Sequence, residues 1–219
     1  MEKKKVIILG GGGIASIASW IMDRRGDAEA VGLVNDIVPV GEWIGTRKKL
    51  RVMGTSEDVA GYIRDTDFYF FIAFHGMQRE KEVYEKIRGF GIPGERLYSP
   101  IDPSAVVAHD YSVIGKGVMA GPMSQIGPDV VIGDNTVILG NAFIGHDTQI
   151  GEFCHIATNA VLGSFNRIGN ACHIGMNATL RERVRVGDYG LVGMGSVVLK
   201  DVEENTIVAG NPARLLRRK

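Results

Sequence analysis

Cysteine is nearly absent from this chain, with only Cys154 and Cys172 in 219 residues. Two thiols make no disulfide framework, and a reducing compartment is the easier home for them. Net charge is missing too. Lys plus Arg and Asp plus Glu stand at 25 each, so no global field draws the chain to nucleic acid or to an anionic membrane. No run approaches the roughly 20 apolar residues of a membrane span. The opening "MEKKK" and "VIILGGGGIASIASWIM" imitate a secretory leader, but four consecutive glycines would break its helical apolar core. A soluble, cytoplasmic protein is expected, with neither nucleic-acid binding nor membrane insertion.

Glycine, by contrast, is plentiful at 30 residues, about twice the usual share of roughly 7%. Much of it follows a strict rhythm. From Ile114 to Val198 every sixth residue is apolar without a skip: Ile138, Ile144, Ile150, Ile156, Leu162 and Ile168 are the middle of the run. Glycine usually follows each of them, and a small residue such as Thr136, Ala142, Thr148, Cys154 or Ala160 usually stands two before. A period of six is neither the 3.6 of a helix nor the 2 of a half-buried strand. It fits a hexapeptide solenoid, in which three short strands and three turns close a triangular coil of 18 residues. Coils stacked at roughly 4.8 Å bury an aliphatic column that no single coil could bury. The fifteen units make about five coils.

The first hundred residues have another grammar. "KKKVIILG" reads as a buried strand, "GGGG" as a turn, "IASIASWIMDRRG" as a helix and "AEAVGLVND" as a second strand. A third strand follows in "DFYFFIAF", then a helix in "QREKEVYEKIRGFGI" that ends near Gly89 and Gly91. The expected architecture is an α/β Rossmann-like βαβ domain over 1–100 and a parallel β-helix, the hexapeptide solenoid, over 101–219. "YSPIDPSA" marks the passage between them.

A glycine-loop α/β domain, an uninterrupted solenoid, "GHDTQIGEFCHIA" in the middle coils and "VAGNPARLLRR" near the end together resemble one known family. It is that of the bacterial sugar acyltransferases of the left-handed β-helix class. The likeness is greatest to the acetyl-CoA-dependent N-acetyltransferases of UDP-linked 4-amino sugars and to the sialic acid O-acetyltransferases. The resemblance implies the left-handed coil, a homotrimer, and acetyl-CoA as co-substrate in the groove between neighbouring solenoids, with no metal. It also implies that His146 is the catalytic base, Asp147 the acidic residue beside it, and His155 a second histidine near the thioester. Gly163 and Ser164 match a turn whose amide faces the acetyl carbonyl.

The chemistry asks for such residues. An amine attacks a thioester only when neutral, and the intermediate puts negative charge on the former carbonyl oxygen. A histidine can take the proton near neutral pH, an aspartate can hold its tautomer, and a turn amide can serve the oxyanion. Register supports the choice, because His146 lies two past inward Ile144, at a corner, and Ser164 lies one coil on. His155 is half a coil from His146, so one site using both must draw on two chains. Cys154 and Cys172 fall at inward small-residue positions and read as core. His155 and His173 share a column and can simply stack.

The acceptor side is read from the loop. "GGGGIA" between a strand and a helix satisfies the dinucleotide pattern formally, but the domain is too small for both mononucleotide halves. A single half can hold a nucleotide diphosphate at the helix N-terminus, with Gly11, Gly12 and Gly13 at the phosphates and Asn35 or Asp36 toward the nucleoside. His75 at the end of the third strand completes the candidate set for a nucleotide-linked amino sugar. Ile14 and Ala15 stand where family members often carry a histidine, and "AFHG" departs from the family's glycine-asparagine pattern. With no loop inserted in the solenoid, the acceptor falls to the N-terminal domain of a neighbouring chain. Arg181 and the tail's Arg214 are candidates for the phosphates of coenzyme A. Three readings compete: O-acetylation of a sialic acid or related hydroxyl; a solenoid zinc enzyme using His146, His155 and His173; and a purely structural solenoid.

Overall fold

The computed structural model describes residues 2–74 and 79–219, so the expected site residue His75 lies outside the described residues. The chain opens with β1 (Lys4–Leu9), α1 (Gly13–Arg25) and β2 (Ala28–Val34). After them come β3 (Trp43–Ile44), β4 (Leu50–Gly54), α2 (Val59–Asp65), β5 (Tyr69–Ile72) and α3 (Glu80–Arg88). The strands form one sheet in the order β3-β4-β2-β1-β5. All its pairings are parallel except that of β3 with β4.

Strand period two decides which residue faces which helix. Val6 and Ile8 of β1 pack with Ala15, Ala18, Ile21 and Met22 of α1. Ile7 and Leu9 point the other way, to Val59 of α2 and to Tyr84 and Ile87 of α3. Both faces are therefore covered, which is why β1 reads as an unbroken apolar run. The β3–β4 hairpin and α2 are elements the sequence reading passes over. Each is short, and Gly41, Gly45, Gly54 and Gly61 punctuate the stretch, so no period has room to repeat.

From Val106 to Val198 the chain is a solenoid of two-residue strands, which with a terminal hairpin make three sheets of five, seven and six strands. Parallel pairs link residues one coil apart, for example Ile132 to Ile150, Ile138 to Ile156 and Ile144 to Leu162. These stacked parallel sheets fit a left-handed β-helix. The first coil is one residue longer, pairing Val106 with Gln125. The last is two shorter, pairing Leu191 with Ile207. Between them every sixth residue from Ala120 to Val198 is buried, as its spacing requires. Buried hydroxyls find partners across coils: Thr136 Oγ1 donates to the Gly151 carbonyl (2.8 Å) and accepts from the Cys154 amide (3.0 Å). Cys154 and Cys172 are free, buried thiols in this core.

Each turn has one residue in the left-handed region, every sixth residue from Met123 to Tyr189. Asn or Asp, which tolerate it, occupy 129, 135, 141, 147, 159 and 177. The outward side chains of the seven-stranded face do not meet solvent freely. Met119 and Val137 join Val6, Ile8, Ala18 and Tyr98 in one cluster, so the N-terminal sheet and α1 cover that face. A hairpin, Thr206–Gly210 and Ala213–Arg218, extends the same face. Lys219 beyond it reaches back to Glu80 of α3 (2.7 Å).

Candidate active site

The site is best built from one corner. Strand Phe143–Ile144 belongs to the six-stranded face and strand Gln149–Ile150 to the five-stranded face. His146 and Asp147 make the turn between them. Asp147 has φ of +60°, which swings its side chain back toward its chain neighbour, and its Oδ2 lies 2.7 Å from His146 Nδ1. The pair is accessible, with 51% of the histidine side chain and 41% of the aspartate side chain exposed. The Asp147 carbonyl accepts from Arg167 Nη1 (2.7 Å), which stiffens the turn from behind.

Ser164 stands one coil above His146, and Phe165 N–H donates to the His146 carbonyl (3.0 Å). Gly145 permits the approach: a Cβ there would lie 2.7 Å from the Ser164 nitrogen. Gly163 N–H is spent on the Leu180 carbonyl (3.0 Å). The Ser164 N–H makes no hydrogen bond among the described residues. Three of its counterparts at the corner after the five-stranded face are taken by a side chain one coil on. There Lys116 N–H donates to Asp134 Oδ1 (2.7 Å), Glu152 N–H to Asn170 Oδ1 (3.0 Å) and Asn170 N–H to Asp188 Oδ1 (2.7 Å). The His146 corner has neither Asp nor Asn one coil on to cap the amide. It therefore presents an acceptor for protons beside a free donor, which is what acyl transfer needs.

His155 lies on the seven-stranded face, away from this corner, and its ring stacks on His173 with centroids 4.6 Å apart. Burial pushes the His173 imidazole below its ordinary value, with Lys219 adding to the fall and Glu80 opposing it. Arg181 is one coil above Gly163 at the His146 corner, whereas Arg214 lies on the terminal hairpin of the seven-stranded face. One chain thus brings together His146, Asp147, Gly163, Ser164 and Arg181, but neither His155 nor Arg214. Sequence reading missed Phe165, whose ring lies against His146, and read Arg183 only with Arg181 and Arg185 as a cation for the coenzyme A phosphates, not as the cation over Phe165. The 18-residue register pointed to this arrangement, since both share the Asp147 column.

A second concavity of about 680 Å³ opens where β1 and β2 end. Gly10, Gly11 and Gly12 form one lip, and Asn35, Asp36 and Ser56 another. Gly12 caps α1 with φ of +78°, and no side chain caps the first-turn amides. Asn35 Oδ1 accepts from the Ile37 and Val38 amides (2.9 Å each). Its Nδ2 lies 3.1 Å from where a Cβ on Gly11 would be. Asp36 is less free than its position suggests. Burial works against its ionisation, but hydrogen bonds from Lys86 and from the amide and hydroxyl of Ser56 outweigh that and hold the carboxyl at about 2. Arg79, Val83 and Phe90 close the far wall.

Among the described residues no group of His, Cys, Asp and Glu could hold a metal ion. No described helix is long and apolar enough to cross a membrane.

A family model described as the GMPPB C-terminal domain matches residues 102–210, the solenoid. No curated protein sequence matches. Among solved structures, a mutant perosamine N-acetyltransferase from Caulobacter crescentus, in complex with CoA and GDP-perosamine, is 26% identical. The match covers 96% of each chain with a TM-score of 0.81. The acetyltransferase domain of PglB from Neisseria gonorrhoeae, in complex with acetyl coenzyme A, shares the fold at 24% identity and a TM-score of 0.80, over 98% of this chain and 100% of that one. WeeI from Acinetobacter baumannii shares it at 18% identity and 0.64, over 97% and 100%. The class this chain resembles along its length is that of the hexapeptide-repeat sugar acyltransferases, enzymes that act with acetyl-CoA. Within that class its likeness is to the N-acetyltransferases of nucleotide-linked sugars.

Proposed function

We propose that this chain is an acetyl-CoA-dependent N-acetyltransferase of a nucleotide-linked amino sugar, with His146 as general base. The observation that carries the reading is the contact of His146 Nδ1 with Asp147 at 2.7 Å, on an exposed corner beside the unpaired Ser164 amide. With Nδ1–H donating to the carboxylate, Nε2 is left as the proton acceptor. The sugar amine attacks the thioester carbon, a C–N bond forms and the C–S bond breaks. Nε2 takes the proton from the nitrogen and returns it to the departing thiolate. The Ser164 N–H donates to the oxygen that becomes negative in between.

Residues 1–100 form, in this reading, a Rossmann-like domain that holds the nucleotide sugar, and residues 101–219 the left-handed coil that holds acetyl-CoA. Gly11, Gly12 and Gly13 offer the uncapped start of α1 to a diphosphate, and Asn35 Nδ2 remains to donate to the ligand. The active unit is a homotrimer. In support, Val106, Phe143 and Val161 line the six-stranded face exposed, and Met123, Met176 and Met194 stand exposed at its edge, an apolar strip suited to a second copy. His155 and Arg214 could serve this site only from a second chain. The neutral chain works in the cytoplasm.

The test is release of coenzyme A thiol from acetyl-CoA with GDP-perosamine, a UDP-linked 4-amino sugar and sialic acid, for wild type and His146→Ala. Turnover with a nucleotide amino sugar that the variant loses is the expected result. Activity only with sialic acid moves the chemistry to O-acetylation, and an unimpaired variant removes His146 from the role of base.

A further inference from the structure

One hydrogen bond leaves an exposed imidazole free to swing about that bond, yet the His146 ring has a second contact. The Phe165 ring lies edge-on to it, with centroids 5.2 Å apart and planes at 81°. The Arg183 guanidinium in turn sits over Phe165 at 4.5 Å from the ring centroid and forms no ion pair among the described residues. The backbone locks this stack in register. Phe165 N–H donates to the His146 carbonyl and Arg183 N–H to the Ser164 carbonyl, each at 3.0 Å. Phe165 also holds φ of +63°, a conformation a bulky residue adopts only when its surroundings impose it. The turns at Asn141, Asn159 and Asn177 fill the equivalent place with the residue type that suits it, and the aromatics Phe153 and Tyr189 hold it where they pack on Tyr84 of α3, whereas Phe165 lies against His146 and Arg183. An unfavourable residue kept beside the candidate base suggests a use that folding does not require.

We infer that Phe165, backed by Arg183, is a positioning residue that fixes the His146 ring in its Asp147-paired orientation. This rests on the reading of His146 as base. Without the ring, Nε2 points at the acceptor nitrogen for only part of the time, and the chemical step slows while acetyl-CoA binding does not change.

The decisive variant is Phe165→Asn, because Asn relieves the backbone. Its melting temperature should equal or exceed that of wild type, while kcat with acetyl-CoA and GDP-perosamine falls about 10- to 100-fold and the KM for acetyl-CoA holds. Phe165→Tyr should restore most of kcat. Phe165→Leu, apolar but without a ring, should lose kcat as Asn does and guards against a folding failure. Nitrogen-15 imidazole spectra, which need no acceptor, should show one fixed His146 tautomer in wild type and an averaged one in Phe165→Asn. Wild-type kcat together with a fixed tautomer in Phe165→Asn overturns the inference. So does loss of melting temperature in parallel with kcat in both Asn and Leu variants. His146→Ala in the same assay separates the two ideas: if it stays active the base assignment fails and the inference with it, whereas an inactive His146→Ala beside a fully active Phe165→Asn defeats the positioning role alone.

Discussion

Pro128 and Ser164 occupy the same turn position of one corner, two coils apart, because Ile126, Ile144 and Leu162 pair in register along the six-stranded face. The fold therefore already accepts proline, which has no N–H, at the place where the site needs its donor. Ser164→Pro should fold with little change in melting temperature and lose about 10²- to 10³-fold in kcat, the usual cost of one oxyanion donor. Ser164→Ala, which keeps the amide, should stay near wild type. Equal activity in the two variants would remove the amide from the mechanism.

Asp147→Asn isolates charge from shape. Asn suits the φ of +60° as well as Asp does, so the turn should persist. What is lost is the negative charge beside His146 Nδ1, and with it the stabilisation of the imidazolium that forms when Nε2 takes a proton. Steady-state kinetics should show kcat lower by about 10-fold or more at unchanged melting temperature.

Asn35→Ala should act on the acceptor alone. It removes the acceptor of the Ile37 and Val38 amides and the one amide donor on that lip. The KM for the nucleotide sugar should rise several-fold while the KM for acetyl-CoA stays constant. A rise in both would mean that the cleft at the end of β1 and β2 is not a separate acceptor site.

The solenoid was legible because its period is short and every coil obeys it. Inward aliphatics, small corners and the exposure of His146 all followed from counting in sixes. The edges of the repeat were less so: the coil at Val106 and the shortened coil before Ile207 break the count. The β3–β4 hairpin hid because two- and five-residue strands between glycines carry no periodic pattern. Asp36 shows a different limit. Its position at the end of β2 could be read, but its engagement by Ser56 and Lys86 joins residues 20 and 50 apart. Phe165 was visible as a departure from Asp129 and Asp147 in its column, and only the stacked coils reveal that the departure lies against His146.

The stacked pair His155 and His173 predicts a dependence of stability on pH. Burial lowers the His173 pKa below its ordinary 6.5, so in the folded chain the ring stays neutral where the unfolded chain has begun to protonate it. The unfolded state then binds more protons as pH falls below about 6.5, and stability declines with it until the folded value is passed. Glu80 and Lys219 are the charged groups that face the ring. Their opposed effects leave desolvation in control. Melting temperature measured from pH 8 to pH 5 should be flat above about 7 and fall below 6.5. His173→Gln, which does not titrate, should flatten that descent. An equal slope in the variant would assign the acid limb to other groups, with Asp36 unable to supply it, since its carboxyl loses its contribution only as the pH falls from 3.8 through about 2.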